Sequence, residues 1–244
     1  MDNYKQNIFF FWDNETPEIY LNHINNIKNL FPNYNVHLID DKWVINYYTS
    51  RNEQDFCNIY KKITLGAAKA DIIRFLVIYE YGGLYLDIMN YPREELNIDD
   101  LFSKLENKST YIAVSGTNIG FTLILSKPKT LLIEKLYDLA KNNLINHYKK
   151  ESNSEAHINY NLVQLTGPLL FHDVVVNKQF YSWDFYLNCR EDSPQNQQYF
   201  KKWNCDLIDV EKTFWLYKVG FDNHHGKNMD KHWSKQQLKK KLFY

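Results

Sequence analysis

The sequence predicts a single α/β domain built on a central, mostly parallel sheet. Three observations predict it. Residues 7–12, NIFFFW, form an unbroken apolar run of strand length, the pattern of a strand buried on both faces. A helical pattern and a second short strand follow with brief links, which is how a parallel α/β unit begins. Further on, GAAKADIIRFLVIYEY is apolar almost all round, so it predicts a helix covered on every side.

The elements follow in order. Thr16 is placed as N-cap and Pro17 at the first helical position, with Ile19, Leu21, Ile24, Ile27 and Leu30 as the apolar stripe. Phe31-Pro32-Asn33 stops this helix, and residues 34–39 form the second strand, ending on Asp40-Asp41. Residues 42–62 are mixed in pattern and hold two short helices. The buried helix runs from Leu65 to Tyr81, with Gly82-Gly83 as its left-handed C-terminal cap. Strands are predicted at residues 84–87, 111–115 and 120–125. An amphipathic helix spans residues 129–148 after Pro128, and residues 149–157 read as a polar surface loop. Gly167-Pro168 begins a helix through Val176, residues 214–219 read as a late strand, and the C-terminal stretch is polar and basic. No repeat or linker divides the chain, so residues 1–244 form one domain.

Composition removes several classes. Lys plus Arg equals Asp plus Glu at 29 each, whereas nucleic-acid binders carry a basic excess, so a nucleic-acid partner is not expected. Cys57, Cys189 and Cys205 are odd in number and form no CxxC pair. They read as reduced thiols of a cytoplasmic protein rather than as a disulfide framework or zinc site. The N-terminus lacks the basic and apolar regions of a signal peptide, and no apolar run approaches the roughly 20 residues that span a bilayer. Lys239-Lys240-Lys241 could touch an anionic membrane surface or simply end a solvated helix. Aromatics reach 16%, which fits carbohydrate clefts or AT-rich coding bias, and abundant Asn, Lys and Ile favour the second.

The chemistry gathers around YEYGGLYLDIMNYP, residues 79–92. A short apolar strand there delivers one carboxylate, Asp87, into a turn, and a carboxylate at a buried strand end is costly unless something binds it. Asp71 and Arg74 are three apart, on one face of the preceding helix. They are either an internal ion pair or two groups that serve an external ligand. Arg offers a fork for phosphate oxygens, and Asp accepts from ribose hydroxyls. Trp12 ends the first strand, where open α/β sheets bind ligands, and is either core or a stacking surface for a base. His224, His225, Lys227, His232 and Trp233 cluster near the C-terminus.

KADIIRFLVIYEYGGLYLD resembles the core signature of the DXD-containing glycosyltransferases of family 32, which are related to the clostridial glucosylating toxins. That signature runs approximately A-x-x-[SA]-D-x-x-R, an apolar helix, then Y-G-G-[IVL]-Y-L-D-x-D. FFFWDNETPEIYLNHINNIKNLFPNYNVHLIDD is similar to the family's opening, and TNIGFTLILSKPKT to its later Asn-bearing strand. TGP at 166–168 and the His/Trp residues at 224–233 complete the order.

The resemblance implies a GT-A-like, Rossmann-type nucleotide-sugar-binding fold, with residues 1–125 as the donor half and 126–244 as the acceptor-side half. It implies a hexosyltransferase that uses a UDP- or GDP-sugar and Mn²⁺ or Mg²⁺, with retention, on a glycan or lipid-linked saccharide, as in polysaccharide biosynthesis. By position, Trp12 would stack on the base, and Asp71, Arg74 and Asn118 would be the catalytic group beside the donor. Tyr85, Asp87, His224, His225 and Trp233 would complete donor binding. The metal would lie on Asp87, with Asn90 and His225 as further ligands. The departure is Met89, which stands where the family has its second aspartate. A soft thioether is a poor ligand for hard cations. A catalytically degenerate nucleotide-sugar-binding protein on the same fold is therefore the alternative.

Overall fold

The computed structural model describes residues 3–115, 118–175, 194–216, 219 and 232–244. The first strand, β1 (Asn7–Phe11), forms at the apolar run. Its side chains alternate between two cores: Phe9 and Phe11 face one, Ile8 and Phe10 the other. All four are at most 5% exposed, and each contributes roughly 1.5–3 kcal/mol by its burial. Helix α1 (Glu18–Leu30) leads to β2 (Asn35–Ile39), which pairs parallel with β1. Next come α2 (Asp41–Ser50), capped by the Asp40 side chain on the Trp43 N–H, and α3 (Gln54–Lys62). The covered helix is α4 (Gly66–Tyr81), and β3 (Gly83–Leu86) follows it immediately.

A small strand β4 (Tyr91–Pro92) and helix α5 (Ile98–Ser103) precede the hairpin of β5 (Thr110–Ser115) and β6 (Asn118–Ser126). The long helix α6 (Leu131–Ser152) is followed by α7 (Leu162–Leu165) and α8 (Leu169–Val175). Helix α9 (Pro194–Trp203) then leads into β7 (Cys205–Asp209), α10 (Val210–Thr213), β8 (Phe214–Trp215) and α11 (Trp233–Gln236). The main sheet has the order β2-β1-β3-β6-β5-β7, in which β6 alone runs against its neighbours. One layer, with α1 and α5, covers one face; α2, α3, α4 and α6 cover the other.

Several expectations are corrected. Pro17, not Thr16, is the N-cap of α1, and its carbonyl accepts from the Tyr20 and Leu21 N–H groups. The buried face of that helix is Tyr20, His23, Ile24 and Ile27, while Ile19, Leu21 and Leu30 are exposed. Spacings of three and four from Tyr20 describe one face as well as the aliphatic set does, and packing on β1 selects it. Gly82 does not take the left-handed helical conformation: its φ of 62° and ψ of −177° lie in a region essentially reserved for glycine. A Cβ there would lie 2.6 Å from Pro128 Cδ, and one on Gly83 2.5 Å from the Asn7 carbonyl oxygen. The two glycines let the chain turn from α4 into β3 against neighbouring backbone.

Residues 149–152 continue α6 rather than forming a loop, and the late strand is only two residues long. Lys239 and Lys240 are exposed, but beyond them the chain turns back into the core: Leu242 and Phe243 are buried, and Phe243 bridges to Ile63. Helix α9 and strand β7 were not anticipated from the sequence; β7 extends the sheet beyond β5, and α9 packs on β7 and α8. Cys57 and Cys205 are buried free thiols, and Cys189 lies outside the described residues. Among the described residues no helix is long and apolar enough to cross a membrane.

Candidate active site

A cavity of about 420 Å³ opens at the carboxyl ends of β1 and β3, where α4 begins. One stripe of α4, Gly66, Ala67, Ala70, Asp71 and Arg74, forms a wall. The three small residues keep that wall low, and the two charged ones lie deepest. Asp71 and Arg74 are each 7% exposed.

Arg74 is held from several sides. Its Nη2 lies 3.2 Å from Asp71 Oδ1 and 3.2 Å from Asp87 Oδ1, and its Nη1 donates to the Phe121 carbonyl oxygen at 2.7 Å. The guanidinium also sits 5.1 Å from the centroid of the Tyr85 ring. Burial opposes its charge, but Asp87 and Asp71 outweigh that effect and raise its pKa further. Burial pushes Asp71 the other way for an acid, up to about 6, although Arg74 and a 2.7 Å hydrogen bond donated by Thr166 Oγ1 pull it down. Burial likewise raises the pKa of Tyr85, so its hydroxyl stays protonated beside Asp87. Two carboxylates therefore share one guanidinium at the cavity floor.

The carbonyl that holds Arg74 is available because the hairpin is irregular. Ile112 pairs with Ile124, but the next residue, Ala113, pairs with Gly120. Residues 121–123 thus have no partner on β5, and a bulge of this kind re-aims the backbone. Phe121 O accepts from Arg74, and Thr122 O accepts from the Asp87 N–H at 2.9 Å. The bulge fixes both the guanidinium and the turn that carries Asp87.

Of the residues anticipated from the sequence, Trp12, Asp71, Arg74, Tyr85, Asp87 and Trp233 all line the cavity. The Trp12 ring packs at 4.5 Å from Tyr20 and is half-buried. Asn118 begins β6, two residues before Gly120, which lines the cavity. Asn90 is not among the lining residues. It is fully buried, and its amide donates to Thr122 O at 3.4 Å. Met89 takes the lining position instead. His224 and His225 lie outside the described residues, as does Lys227. Among the described residues no group of three His, Cys, Asp or Glu side chains could hold a metal ion. Asp87, with 21% of its side chain exposed, is a carboxylate that faces the cavity.

His232, singled out in the C-terminal cluster, and Pro168, in the TGP of the resemblance, also line the cavity, though neither was given a role. Sequence reasoning missed Asp13, Thr122, Val163 and Gln236 on the walls. Asp13 was visible beside Trp12; the other three carry no local signal, because distant segments bring them to the cavity.

The fold is similar to that of glycosyltransferase domains of GT-A-like architecture among solved structures. Residues 17–108 match the family described as "Glycosyltransferase sugar-binding region containing DXD motif". That segment runs from the start of α1 through α5 and holds Asp71, Arg74 and Asp87. Among solved structures, the catalytic domain of alpha-toxin from Clostridium novyi is similar with a TM-score of 0.52 and 10% identity, over 96% of this chain and 82% of that one. The ligand-free glycosyltransferase domain from the YGT toxin gives 0.51 and 8%, over 88% and 81%. The PaToxG glycosyltransferase gives 0.49 and 16%, over 97% and 91%. No curated protein matches the chain in sequence.

Proposed function

We propose that this protein transfers a hexose from a UDP- or GDP-sugar to a glycan or lipid-linked saccharide, with retention, in the manner of family 32. The observation that carries the reading is Arg74, fixed between Asp71 and Asp87 at the floor of a cavity walled by Trp12 and Trp233. A diphosphate needs positive charge, a base needs a flat face and a sugar needs hydroxyl acceptors. Arg74, Trp12 and Asp71 are of the right types for those tasks. Arg74 would hold the departing diphosphate, where preorganised charge stabilises the transition state most. Trp233 would cover the donor and exclude water.

A divalent cation fits this site only as a shared ligand. Asp87 is one hard oxygen donor, and Mg²⁺ or Mn²⁺ is commonly held by one or two carboxylates with substrate phosphates and waters. Asp71, Arg74 and Asp87 together carry one net negative charge, which also favours a cation. When bound, the ion would supply charge neutralisation at the diphosphate. Asn118, His224 and His225 stay in the proposal as donor-side groups, with His225 a further metal ligand.

Calorimetric titration with UDP and GDP, with Mn²⁺ or with chelator, tests donor binding. Nucleotide-sugar hydrolysis without acceptor tests catalysis. Binding of neither nucleotide would overturn the reading; binding without any turnover would leave the non-catalytic alternative.

A further inference from the structure

Glu151, near the end of α6, is 4% exposed, and a carboxylate so buried must be matched by donors. Its donors come from the C-terminal segment. Oε1 accepts from the Leu242 N–H at 3.0 Å and Oε2 from the Phe243 N–H at 2.9 Å, while His147 Nε2 lies 3.2 Å from Oε1. Charge-assisted bonds to two successive backbone groups make a strong, directional clamp.

The clamped segment is tied to the cavity at three places. Thr64 donates its hydroxyl to Lys241 O at 2.7 Å and its N–H to Leu242 O at 2.8 Å, directly before the lining residues Leu65 and Gly66. Gln237 Oε1 accepts from the N–H of Leu162, another lining residue, at 2.9 Å. At its other end the segment carries His232, Trp233 and Gln236 into the cavity wall. One continuous stretch, 232–244, thus joins Glu151 to the Trp233 side of the site.

We infer that Glu151 is a positioning residue for the donor cavity, acting through segment 232–244 to hold Trp233 over it. The inference rests on the donor-site reading above for its functional consequence, but its structural part stands apart. Glutamine at 151 keeps the volume yet turns an amide NH₂ toward one of the two N–H groups, so donor faces donor. The clamp opens there while the rest of the core is unchanged.

The test is Glu151→Gln, read in two ways. Without ligand, amide exchange over residues 233–237 should accelerate while the α4 amides of residues 72–78 stay as protected as in wild type. With ligand, affinity for UDP or GDP in Mn²⁺ should fall about tenfold, the scale of a coupled interaction. Trp233→Ala should lower it as well, and the double variant should bind no more weakly than Trp233→Ala alone. If Glu151→Gln folds poorly, Thr64→Val loosens the same segment from the opposite side and should give the same exchange pattern. Unchanged exchange at 233–237 in both variants, or additive losses of affinity, would overturn the inference. If wild type binds neither nucleotide, the donor reading fails, and the exchange result still decides whether Glu151 holds the segment.

Discussion

Arg74 Nη1 and the Phe121 carbonyl oxygen meet at 2.7 Å across the bulge in β6. The bond joins the helix that carries the charged pair to the strand that supports the Asp87 turn. Arg74 is therefore a structural and a cavity-lining residue at once, and its variants must be chosen to separate packing from the proposed donor role.

Arg74→Ala should destabilise the fold by about 3–5 kcal/mol, because it leaves the buried Asp71 without its cation. Arg74→Lys keeps the charge but not the planar fork, which can serve the two carboxylates and the Phe121 carbonyl together. It should stay folded while losing nucleotide-sugar turnover. Urea titration and a turnover assay on both variants check this. A fully stable Arg74→Ala would show that the buried pair contributes nothing.

Trp12→Ala should weaken binding of the nucleoside diphosphate by about 1–3 kcal/mol, the cost of losing one stacked base. The ring also packs on Tyr20, so the melting temperature should fall too. Calorimetry below the variant's melting range separates these effects. Unchanged affinity would assign Trp12 to packing with Tyr20 alone.

Apo protein should show little affinity for Mn²⁺, since Asp87 by itself is a sparse cage. Mn²⁺ and the diphosphate should then each tighten the other's binding by the same factor, as linkage requires. Met89→Asp places a hard ligand on the cavity wall and should strengthen that coupling. Equal nucleotide affinity in Mn²⁺ and in chelator, for wild type and Met89→Asp alike, would leave the diphosphate charge to Arg74.

Two buried groups should give opposite pH dependences. Folding raises Asp71 from 3.8 to about 6, chiefly by burial, so its contribution to stability is greatest at low pH and declines as pH rises to about 6. Burial lowers His23 from 6.5 to about 4, against an opposing influence of the Asn90 backbone, so its contribution is present above about pH 6.5 and lost on acidification. Each span is worth about 3 kcal/mol, and the two oppose one another in wild type between pH 4 and 6. Asp71→Asn should therefore lose stability on acidification more steeply than wild type, and His23→Gln less steeply. Urea midpoints from pH 4 to 7.5 measure this; a profile of Asp71→Asn parallel to wild type would show that Asp71 titrates normally.

Legibility differed by element for physical reasons. The β1 run, α4 and the strand that leads to Asp87 were clear because local pattern and tertiary burial agree there. Helix α1 was located but its buried face was not, since its aliphatic and aromatic positions describe two competing stripes and only contact with the sheet chooses between them. Strand β7 and helix α9 were overlooked, as CDLID and PQNQQYFKKW are polar and take their places from pairing with β5 and packing on α8. Asn90 looked like a spare ligand one residue beyond Met89, but the turn buries it against Thr122 O.

The sequence by itself determined the α/β class, the charged pair on one helical face, the glycine turn and the single carboxylate at the strand end. These are short-range properties, set by side-chain periodicity and by backbone conformations that only certain residues adopt. Tertiary structure alone decided that Arg74 is shared between Asp71 and Asp87, because the Phe121 carbonyl that fixes it is released by a bulge between two strands. It also decided that an apparently polar C-terminal segment lines the cavity. Glu151 and the Leu242 and Phe243 N–H groups it accepts from are about ninety residues apart in the chain, and no local pattern encodes so distant a hydrogen bond.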